Sequence, residues 1–248
     1  LEAAGSCPPG FVRIPAGTFE VGGDADAVEA GPARIEFVEE FYIGRRELSN
    51  REWYAFVDDP EVAERIRRAG GSLYLPREEG VPMPRENLGG AEVPVMGISH
   101  DDLQAYLEWR KAKALEAGEP WLFELPSELE WEKAARGVDG RYFPWGDRFD
   151  YSATGSINSR IQPLFDAPSG LEPRDESPFG VLDLAGHRRE WTRDRFQLSE
   201  EASLLTRLRG GCWRWTIGPP FRAATTQYAD PGFTSATMGA RLIARRLE

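Results

Sequence analysis

The sequence predicts an α+β fold with few helices, short strands and much irregular structure. Three observations lead to this prediction. Apolar residues alternate over residues 10–49, which is typical of half-buried strands. Three later stretches carry helix-capping signals followed by apolar residues at helical spacing. After Gly137 the helical periodicity disappears, and Gly, Pro, Trp and Phe become frequent.

The N-terminal part of the chain predicts strands. Residues 10–23 read as two short strands around the turn Pro15-Ala16-Gly17. Their apolar positions are Phe11, Ile14, Phe19 and Val21. Residues 33–49 continue in the same style, with apolar side chains at the odd positions Ile35, Phe37, Phe41 and Ile43. This alternation indicates strands that bury one face.

Three helices are predicted by their first residues. Each begins at a serine with an acidic residue three positions later, the pattern of a capping box. The pairs are Ser49 with Glu52, Ser99 with Asp102, and Ser127 with Glu130. Gly118 is expected to end the second helix, because glycine is favoured just beyond a helix C-terminus. Residues 70–94 are rich in Gly and Pro and predict a long loop.

The composition excludes several classes of protein. With 248 residues, 41% of them hydrophobic, the chain can bury a core without disulfide bonds. We expect one domain over residues 10–246, preceded by a tail at residues 1–9. The net charge of -11 would repel a phosphate backbone, so nucleic acid is not an expected partner. No apolar run reaches the roughly 20 residues of a membrane-spanning helix. A monomer is expected, and the cellular location is left open because the chain can be part of a longer protein.

Cysteine and histidine are too scarce for a metal site that spacing alone would reveal. The two cysteines, Cys7 and Cys212, cannot form a disulfide framework, and the sequence leaves open whether they pair with each other. The two histidines, His100 and His187, lie far apart in sequence, unlike the closely spaced ligands of typical zinc sites.

Seven segments in a characteristic order carry a family resemblance. They are GFVRIPAGTFEVG, PVMGISHDDLQAYLEW, ELPSELEWEKAARG, RYFPWGD, SPFGVLDLAGHRREWTRD, LRGGCWR and MGARLIAR. This order resembles the formylglycine-generating enzyme family, also called sulfatase-modifying factor domains, from about Gly10 to Arg245. The resemblance implies a C-type-lectin-like fold with sparse secondary structure and small twisted antiparallel sheets.

The resemblance also implies where catalytic residues should lie. Enzymes of this family bind copper with two cysteines and oxidise a substrate cysteine to formylglycine. The first of these cysteines corresponds to Trp215 and the second to Pro220, so neither thiol is present. Cys212 lies three residues too early and is expected to be a small buried residue. No copper is therefore expected, because one displaced thiol cannot replace the thiolate pair.

Without the cysteines, the corresponding region is expected to be a recognition surface for a protein or small ligand. Aromatic residues, Arg and small polar residues bury much area at low entropic cost. The expected ligand-binding residues are Arg214, Trp215, Thr216, Ile217, Phe221, Gln227, Tyr228, Phe233, Thr234, Ser235 and Thr237. Trp213 is expected to belong to the core. The 209–242 segment also resembles the variable region of proteins diversified by retroelements, which implies target binding without catalysis.

The segment LDLAGHRREW resembles a structural calcium site of the family. The resemblance implies side-chain ligands at Asp183 and Glu190 and carbonyl ligands at Gly186 and Arg188, with Asn158 for a second site. The neighbouring arginines allow an alternative, in which a guanidinium pairs with Glu190 and replaces the ion. Calcium is thus an open expectation.

Three hypotheses for function follow. The favoured hypothesis is a non-catalytic binding domain that presents residues 213–237, because the fold signature is intact and both catalytic cysteines are missing. A regulatory module of a larger signalling protein, such as a kinase fusion, is the second. A diverged metal-dependent oxidoreductase is the third, and it requires a buried cluster of metal ligands that the sequence does not reveal.

Overall fold

The computed structural model describes residues 7–158 and 166–247. Within these ranges the chain forms four α-helices and twelve strands. The helices are α1 (Asn50–Val57), α2 (Pro60–Arg68), α3 (His100–Glu116) and α4 (Glu128–Arg136). The strands are β1 (Phe11–Ile14), β2 (Gly17–Val21), β3 (Arg34–Val38), β4 (Phe41–Gly44), β5 (Arg77–Glu78), β6 (Val81–Pro82), β7 (Trp121–Glu124), β8 (Arg189–Phe196), β9 (Leu205–Arg209), β10 (Thr226–Ala229), β11 (Met238–Gly239) and β12 (Ile243–Arg246). This is the mixed α and β architecture with small sheets that the sequence predicted.

The three predicted helix starts are confirmed, since Ser49, Ser99 and Ser127 each form a complete capping box. Helix α2 was not predicted, although Asp59 caps it and Pro60 occupies its first turn. The expected loop at 70–94 contains the small hairpin β5–β6 and one turn of 3₁₀ helix. None of the helices in the described ranges is long and apolar enough to cross a bilayer.

The first sheet joins the two ends of the chain in the order β1-β4-β12-β7. The C-terminal strand β12 lies between β4 and β7 and is antiparallel to both. Strands β1 and β2 do not pair with each other across the predicted turn, because β1 pairs with β4 and β2 with β3. The alternation in residues 33–49 also fails in part. Phe41 and Ile43 are buried, whereas Ile35 and Phe37 are exposed on the β2–β3 ribbon.

The second sheet has the order β10-β9-β8-β11. The residues expected to bind ligand begin just after its strand β9. Its central strands β8 and β9 are antiparallel, and the short β11 runs parallel to β8. Helix α4 packs against β2, β3, β8 and β9, and its Trp131 is fully buried in a cluster that includes Ile14 and Phe41. A second cluster joins α1 and α3, where the rings of Trp53 and Tyr106 stack at 5.5 Å.

Candidate functional site

The candidate site begins where β9 ends, at two glycines. Gly210 has φ +79°, a left-handed conformation that glycine adopts without strain, and it turns the chain away from the sheet. Gly211 is required for a different reason. A Cβ at this position would lie 2.2 Å from the carbonyl oxygen of Ala185 and 2.4 Å from the ring of Phe221. The backbone can therefore approach the 185–187 segment closely, and Trp213 N–H donates to the carbonyl of His187 at 3.1 Å.

Cys212 is buried directly after this turn. Its residue is 1% exposed, and burial raises the pKa of its thiol. A neutral, enclosed thiol is a poor nucleophile and a poor metal ligand. The prediction that Cys212 is a small buried residue is confirmed. Cys7 is exposed, and both cysteines are free thiols.

The next two residues form the near edge of an exposed surface. Trp213 is half-buried, so its assignment to the core was wrong in part, and its indole N–H donates to the carbonyl of Ala236 at 3.3 Å. The guanidinium of Arg214 lies over the Trp213 ring at 5.1 Å and pairs with Glu78 at 3.1 Å. Half of the Arg214 side chain remains accessible, at 51%. The β5–β6 hairpin, which supplies Glu78, thus borders the surface.

Trp215 and Pro220 occupy the two positions at which the family resemblance places thiols. The Trp215 ring is half-buried and meets the edge of Phe221, with 6.1 Å between the ring centres. On its other side the guanidinium of Arg189 lies 5.8 Å from the ring centre. Pro220 belongs to a single 3₁₀ turn, Pro219–Phe221. Neither side chain offers an atom that can bind a metal.

Thr216 and Ile217 are exposed, and Ile217 is 59% accessible. Their backbone is fixed from outside the loop. The Tyr151 hydroxyl donates to the Thr216 carbonyl at 2.7 Å, and the Asn158 amide donates to the same oxygen at 3.1 Å. The loop is therefore held through its main chain while its side chains project into solvent.

Four predicted ligand-binding residues are buried, and these predictions were wrong. Phe221 is fully enclosed and stacks on Phe149 at 5.9 Å, so it supports the loop from beneath. The hydroxyl of Thr234 accepts the Gly80 N–H at 3.1 Å, which ties it to the β5–β6 hairpin. The hydroxyls of Ser235 and Thr237 lie 3.1 Å apart in a buried pair. Small polar residues in this segment satisfy internal hydrogen bonds instead of meeting ligand.

The structure separates the remaining predicted residues. Gln227 is half-buried and lies next to the loop, because its amide nitrogen donates to the Gly210 carbonyl at 3.3 Å. Tyr228, the next residue on β10, points to the opposite face, where its ring meets Phe196 at 5.4 Å. Phe233 is 40% exposed and follows the turn at Asp230. The exposed surface is therefore centred on residues 213–217, with Gln227 beside it. We call residues 213–217 the recognition loop, after the role that the sequence predicts for them.

Arg189 connects the parts of this surface, and sequence reasoning missed its role. Its guanidinium donates to Thr237 at 2.6 Å and to Gln227 at 3.3 Å, besides lying against Trp215. Burial lowers the pKa of Arg189, yet the group stays charged at neutral pH. Its position one residue from Glu190 on β8 was the available signal, since alternate residues of a strand face opposite sides.

A cluster of buried ionisable groups lies behind the recognition loop. Glu47, Asp183 and His187 are each 4% exposed. Nδ1 of His187 lies 2.9 Å from a Glu47 carboxylate oxygen, which also accepts the Ser169 hydroxyl at 2.9 Å. Burial and the Glu47 carboxylate raise the pKa of Asp183 to about 6. Burial and the Asp183 carboxylate likewise raise the pKa of Asp175 well above its usual value.

Comparison with a family model identifies the family of the chain. The model described as the sulfatase-modifying factor enzyme 1-like domain matches residues 2–246. The chain belongs to the sulfatase-modifying factor family.

Individual relatives agree with this assignment. The chain is 29% identical to the inactive Cα-formylglycine-generating enzyme 2 of Mus musculus, over 86% of this chain and 77% of that protein. Its fold is similar to that of PvdO from Pseudomonas aeruginosa, with a TM-score of 0.70 at 21% identity over 96% and 94% of the two chains. It is also similar to Treponema denticola variable protein 1, with a TM-score of 0.67 at 16% identity over 95% and 94%. The fold is therefore the C-type-lectin-like fold that the resemblance implied.

The residues of this member of the sulfatase-modifying factor family do not fit the copper site of its enzymes. Trp215 and Pro220 provide no ligand atoms, and Cys212 is enclosed three residues away from the first of these positions. No catalytic step through copper follows from this arrangement.

Glu190, one of the residues implied as calcium ligands, is paired with a buried guanidinium. Both oxygens of Glu190 accept from Arg241, at 2.7–3.1 Å, and one also accepts the Trp131 indole N–H at 2.6 Å. A guanidinium thus neutralises Glu190, as the alternative anticipated, but it belongs to Arg241 and not to a neighbour in sequence.

Side chains and N–H groups of the other residues in the implied calcium set also contact protein groups. Asp183 faces Glu47 and His187. The Gly186 N–H donates to Asp175, and burial lowers the pKa of the enclosed Arg188 to about 10. Asn158 is exposed and holds the Thr216 carbonyl. Calcium held by Asp183, Glu190 and the carbonyls of Gly186 and Arg188 stays a prediction.

Proposed function

We propose that this protein is a non-catalytic binding domain that recognises a protein or small ligand through the recognition loop, residues 213–217. The observation that carries the proposal is the exposure of Arg214, Thr216 and Ile217 on a main chain that is fixed from outside the loop. A preorganised loop loses little conformational freedom on binding, which favours affinity.

The chemistry of the loop supports recognition of a protein-like surface. Ile217 offers an apolar contact, and Trp213 and Trp215 offer flat half-buried rings. Arg214 is already oriented by Glu78 and by the Trp213 ring, so its donors are held in place before a ligand arrives. Aromatic residues and Arg are enriched where interfaces concentrate their binding energy.

The absence of catalysis is part of the proposal. It is supported by Trp215 and Pro220 at the thiol positions and by similarity to a relative named as inactive. The expected result is no aldehyde formation when the protein is incubated with a cysteine-containing peptide, Cu(I) and oxygen. Turnover on that peptide, or stoichiometric copper binding that is lost in Cys212→Ser, would contradict this part.

Binding can be tested by selecting phage-displayed peptides on the folded protein and measuring their affinity for variants. The double variant Arg214→Ala/Ile217→Ala is expected to weaken the selected peptides at least about tenfold, because truncating central interface residues costs more than about 1 kcal/mol each. A matched control is Arg13→Ala/Ile35→Ala. It also removes an exposed Arg that pairs with a Glu, and an exposed Ile, but from β1 and β3. Equal affinities for the two double variants would contradict the placement of the site.

Diversification of residues 209–242 remains a prediction. A reverse transcriptase gene next to a near-copy of the corresponding coding segment would support it. Such a copy is expected to differ mainly at codons for exposed loop residues such as Thr216 and Ile217, because changes at Gly211 or Phe221 would disturb the packing. If the neighbouring genome contained neither the reverse transcriptase gene nor the near-copy, the diversification prediction would be wrong. The binding proposal would be unaffected.

A further inference from the structure

The buried cluster of Glu47, Asp183 and His187 is not used by the proposed recognition function. One ligand atom from each of the three side chains lies within 4.8 Å of the other two. Glu47 lies between β4 and α1, whereas Asp183 and His187 lie on the segment before β8. Elements distant in sequence therefore bring an imidazole and two carboxylates together in the interior.

The cluster contains buried atoms that lack partners. Within residues 7–158 and 166–247, neither Oε1 of Glu47 nor Nε2 of His187 has a hydrogen-bond partner. Burying a polar atom without a partner destabilises the folded state, and such atoms are rare in folded proteins. Hydrogen bonds within the described ranges therefore leave two atoms of this cluster available to a ligand.

The other contacts orient the three side chains as a set of ligands. The Ser169 hydroxyl donates to Glu47, and the Gly170 N–H donates to Asp183 at 2.5 Å. Such outer contacts orient the ligands of metal sites. Asp183 and His187 also hold positive φ angles, of 59° and 66°, a conformation that Asp and His adopt more often than most residues other than glycine.

Space and charge fit a small cation. A pocket of about 10 Å³, lined in part by Asp183, His187 and Glu172, adjoins the cluster. That is about the room one water molecule or one bare ion needs. Two buried guanidinium groups lie near Glu47, those of Arg241 and Arg188. Arg241 is bonded to Glu190 and to the carbonyls of Gly44 and Leu182, and Arg188 donates to the His187 carbonyl at 3.2 Å, so neither is bonded to Glu47 or Asp183.

We propose that Glu47, Asp183 and His187 bind one divalent transition-metal ion, with Zn²⁺ as the best match. Zinc accepts imidazole nitrogen together with carboxylate oxygen, whereas calcium prefers oxygen ligands alone. Tetrahedral ligands at the usual zinc distances lie about 3.4 Å apart. Binding therefore replaces the 2.9 Å contact between His187 and Glu47 and brings Asp183 to a similar distance from both. The ion joins the β4–α1 connection to the 183–187 segment and thereby supports the recognition loop, whose Trp213 N–H donates to the His187 carbonyl.

The test uses the purified full chain after removal of metals with a chelator. Titration with Zn²⁺ in competition with a chromophoric chelator is expected to show one equivalent bound and a rise in the melting temperature. Titration with Co²⁺ is expected to produce a saturable visible absorption band, which reports nitrogen and oxygen ligation independently of stability. Calcium at the same concentration is expected to produce neither effect.

Variants assign the site. His187→Asn and Glu47→Gln are each expected to weaken zinc binding by more than about 100-fold, since even outer contacts of a metal site are worth 10–100-fold. His100→Asn, which removes the other histidine of the chain, is the matched control and is expected to bind zinc normally. Near-ultraviolet circular dichroism checks that each variant is folded.

Three results would overturn the proposal. They are the absence of saturable Zn²⁺ and Co²⁺ binding to the unmodified protein, unchanged zinc affinity in folded His187→Asn, and displacement of zinc by an equal concentration of calcium. The cobalt titration of the unmodified protein decides the matter even if the variants do not fold.

Discussion

Glu190 and Arg241 are both fully buried, and they form the most enclosed ion pair of the described chain. Burial raises the pKa of Glu190, while Arg241 acts in the opposite direction, so the carboxylate depends on its partner to remain ionised. Arg241 also donates to carbonyl oxygens of Gly44 and Leu182. One guanidinium thus connects β8, the end of β4 and the 182–187 segment.

Replacing Arg241 with Met keeps most of the volume but leaves Glu190 buried without a counter-charge. Breaking a buried pair from one side costs about 3–5 kcal/mol, so the free energy of unfolding is expected to fall by that amount in urea titrations. Arg45→Met is the control, because Arg45 and Glu176 are 53% and 44% exposed and an exposed pair is worth at most about 1 kcal/mol. Similar decreases in the free energy of unfolding for both variants would show that the buried pair contributes no more to stability than the exposed pair.

At the scale of single elements, the helices owe their start points to local signals. Ser99 at the start of α3 accepts the Asp102 N–H at 3.0 Å, and its own N–H donates to the Asp102 carboxylate at 3.0 Å. This reciprocal pair satisfies two backbone donors that the first turn leaves without helical partners.

Ser99→Ala removes the side-chain cap and is expected to reduce the free energy of unfolding by about 1 kcal/mol. Ser99→Asp retains an acceptor of similar reach and is expected to recover part of the loss, apart from repulsion with Asp102. Thermal unfolding of the two variants under identical conditions measures the difference. A Ser99→Ala variant as stable as the original protein would contradict the capping role.

Local signals explain which elements were predictable. The capping boxes at Ser49, Ser99 and Ser127 lie within four residues of sequence, so they could be read directly. Asp59-Pro60 is an equally local signal for the start of α2. The insertion of β12 between β4 and β7 depends on contacts far apart in sequence, and no local pattern encodes it.

The same distinction applies to the site. The placement of Arg214 and Ile217 on a surface was predicted, because the family resemblance puts them next to Trp215, at the position of the first catalytic cysteine. The burial of Phe221 was not, since it depends on Phe149 and Ala185 from other segments. The place of Glu47 in the buried cluster was not predicted for the same reason, because its partner His187 is 140 positions away along the chain.

At the scale of the whole molecule, His100 couples folding to pH. Burial and the Arg195 guanidinium, 2.8 Å from Nδ1, lower the pKa of His100 from 6.5 to about 4. Between pH 6.5 and 4 the unfolded chain therefore binds a proton at this residue that the folded protein does not bind. The contribution of His100 to the free energy of unfolding is therefore fully present above pH 6.5 and is lost as the pH falls toward 4.

His100→Asn is expected to remove this contribution. The difference in free energy of unfolding between the original protein and the variant should shrink by up to about 2 kcal/mol between pH 7 and pH 4.5. Urea titrations across this range measure the difference, and other titrating groups cancel in the comparison. A difference that stays constant with pH would contradict the lowered pKa.

The two thiols provide a second probe of the whole fold. Cys7 is exposed and Cys212 is buried, so a thiol reagent is expected to label one cysteine rapidly in the native protein and both in urea. The slow labelling of Cys212 reports opening of the packing around Gly211 and Phe221. Cys7→Ser is expected to abolish the rapid phase and leave the slow phase unchanged. Two rapid phases in the original protein would contradict the enclosure of Cys212.

The anchoring of the Thr216 carbonyl by Tyr151 and Asn158 has a practical consequence for protein engineering. Both anchors bind an atom that every amino acid possesses, so the path of the loop does not depend on which side chains it carries. A combinatorial library at positions 214, 216 and 217 would thus vary chemical character at nearly constant geometry. Affinity selection from such a library could begin from one backbone, and Tyr151 and Asn158 are the two residues that its designer should leave unchanged.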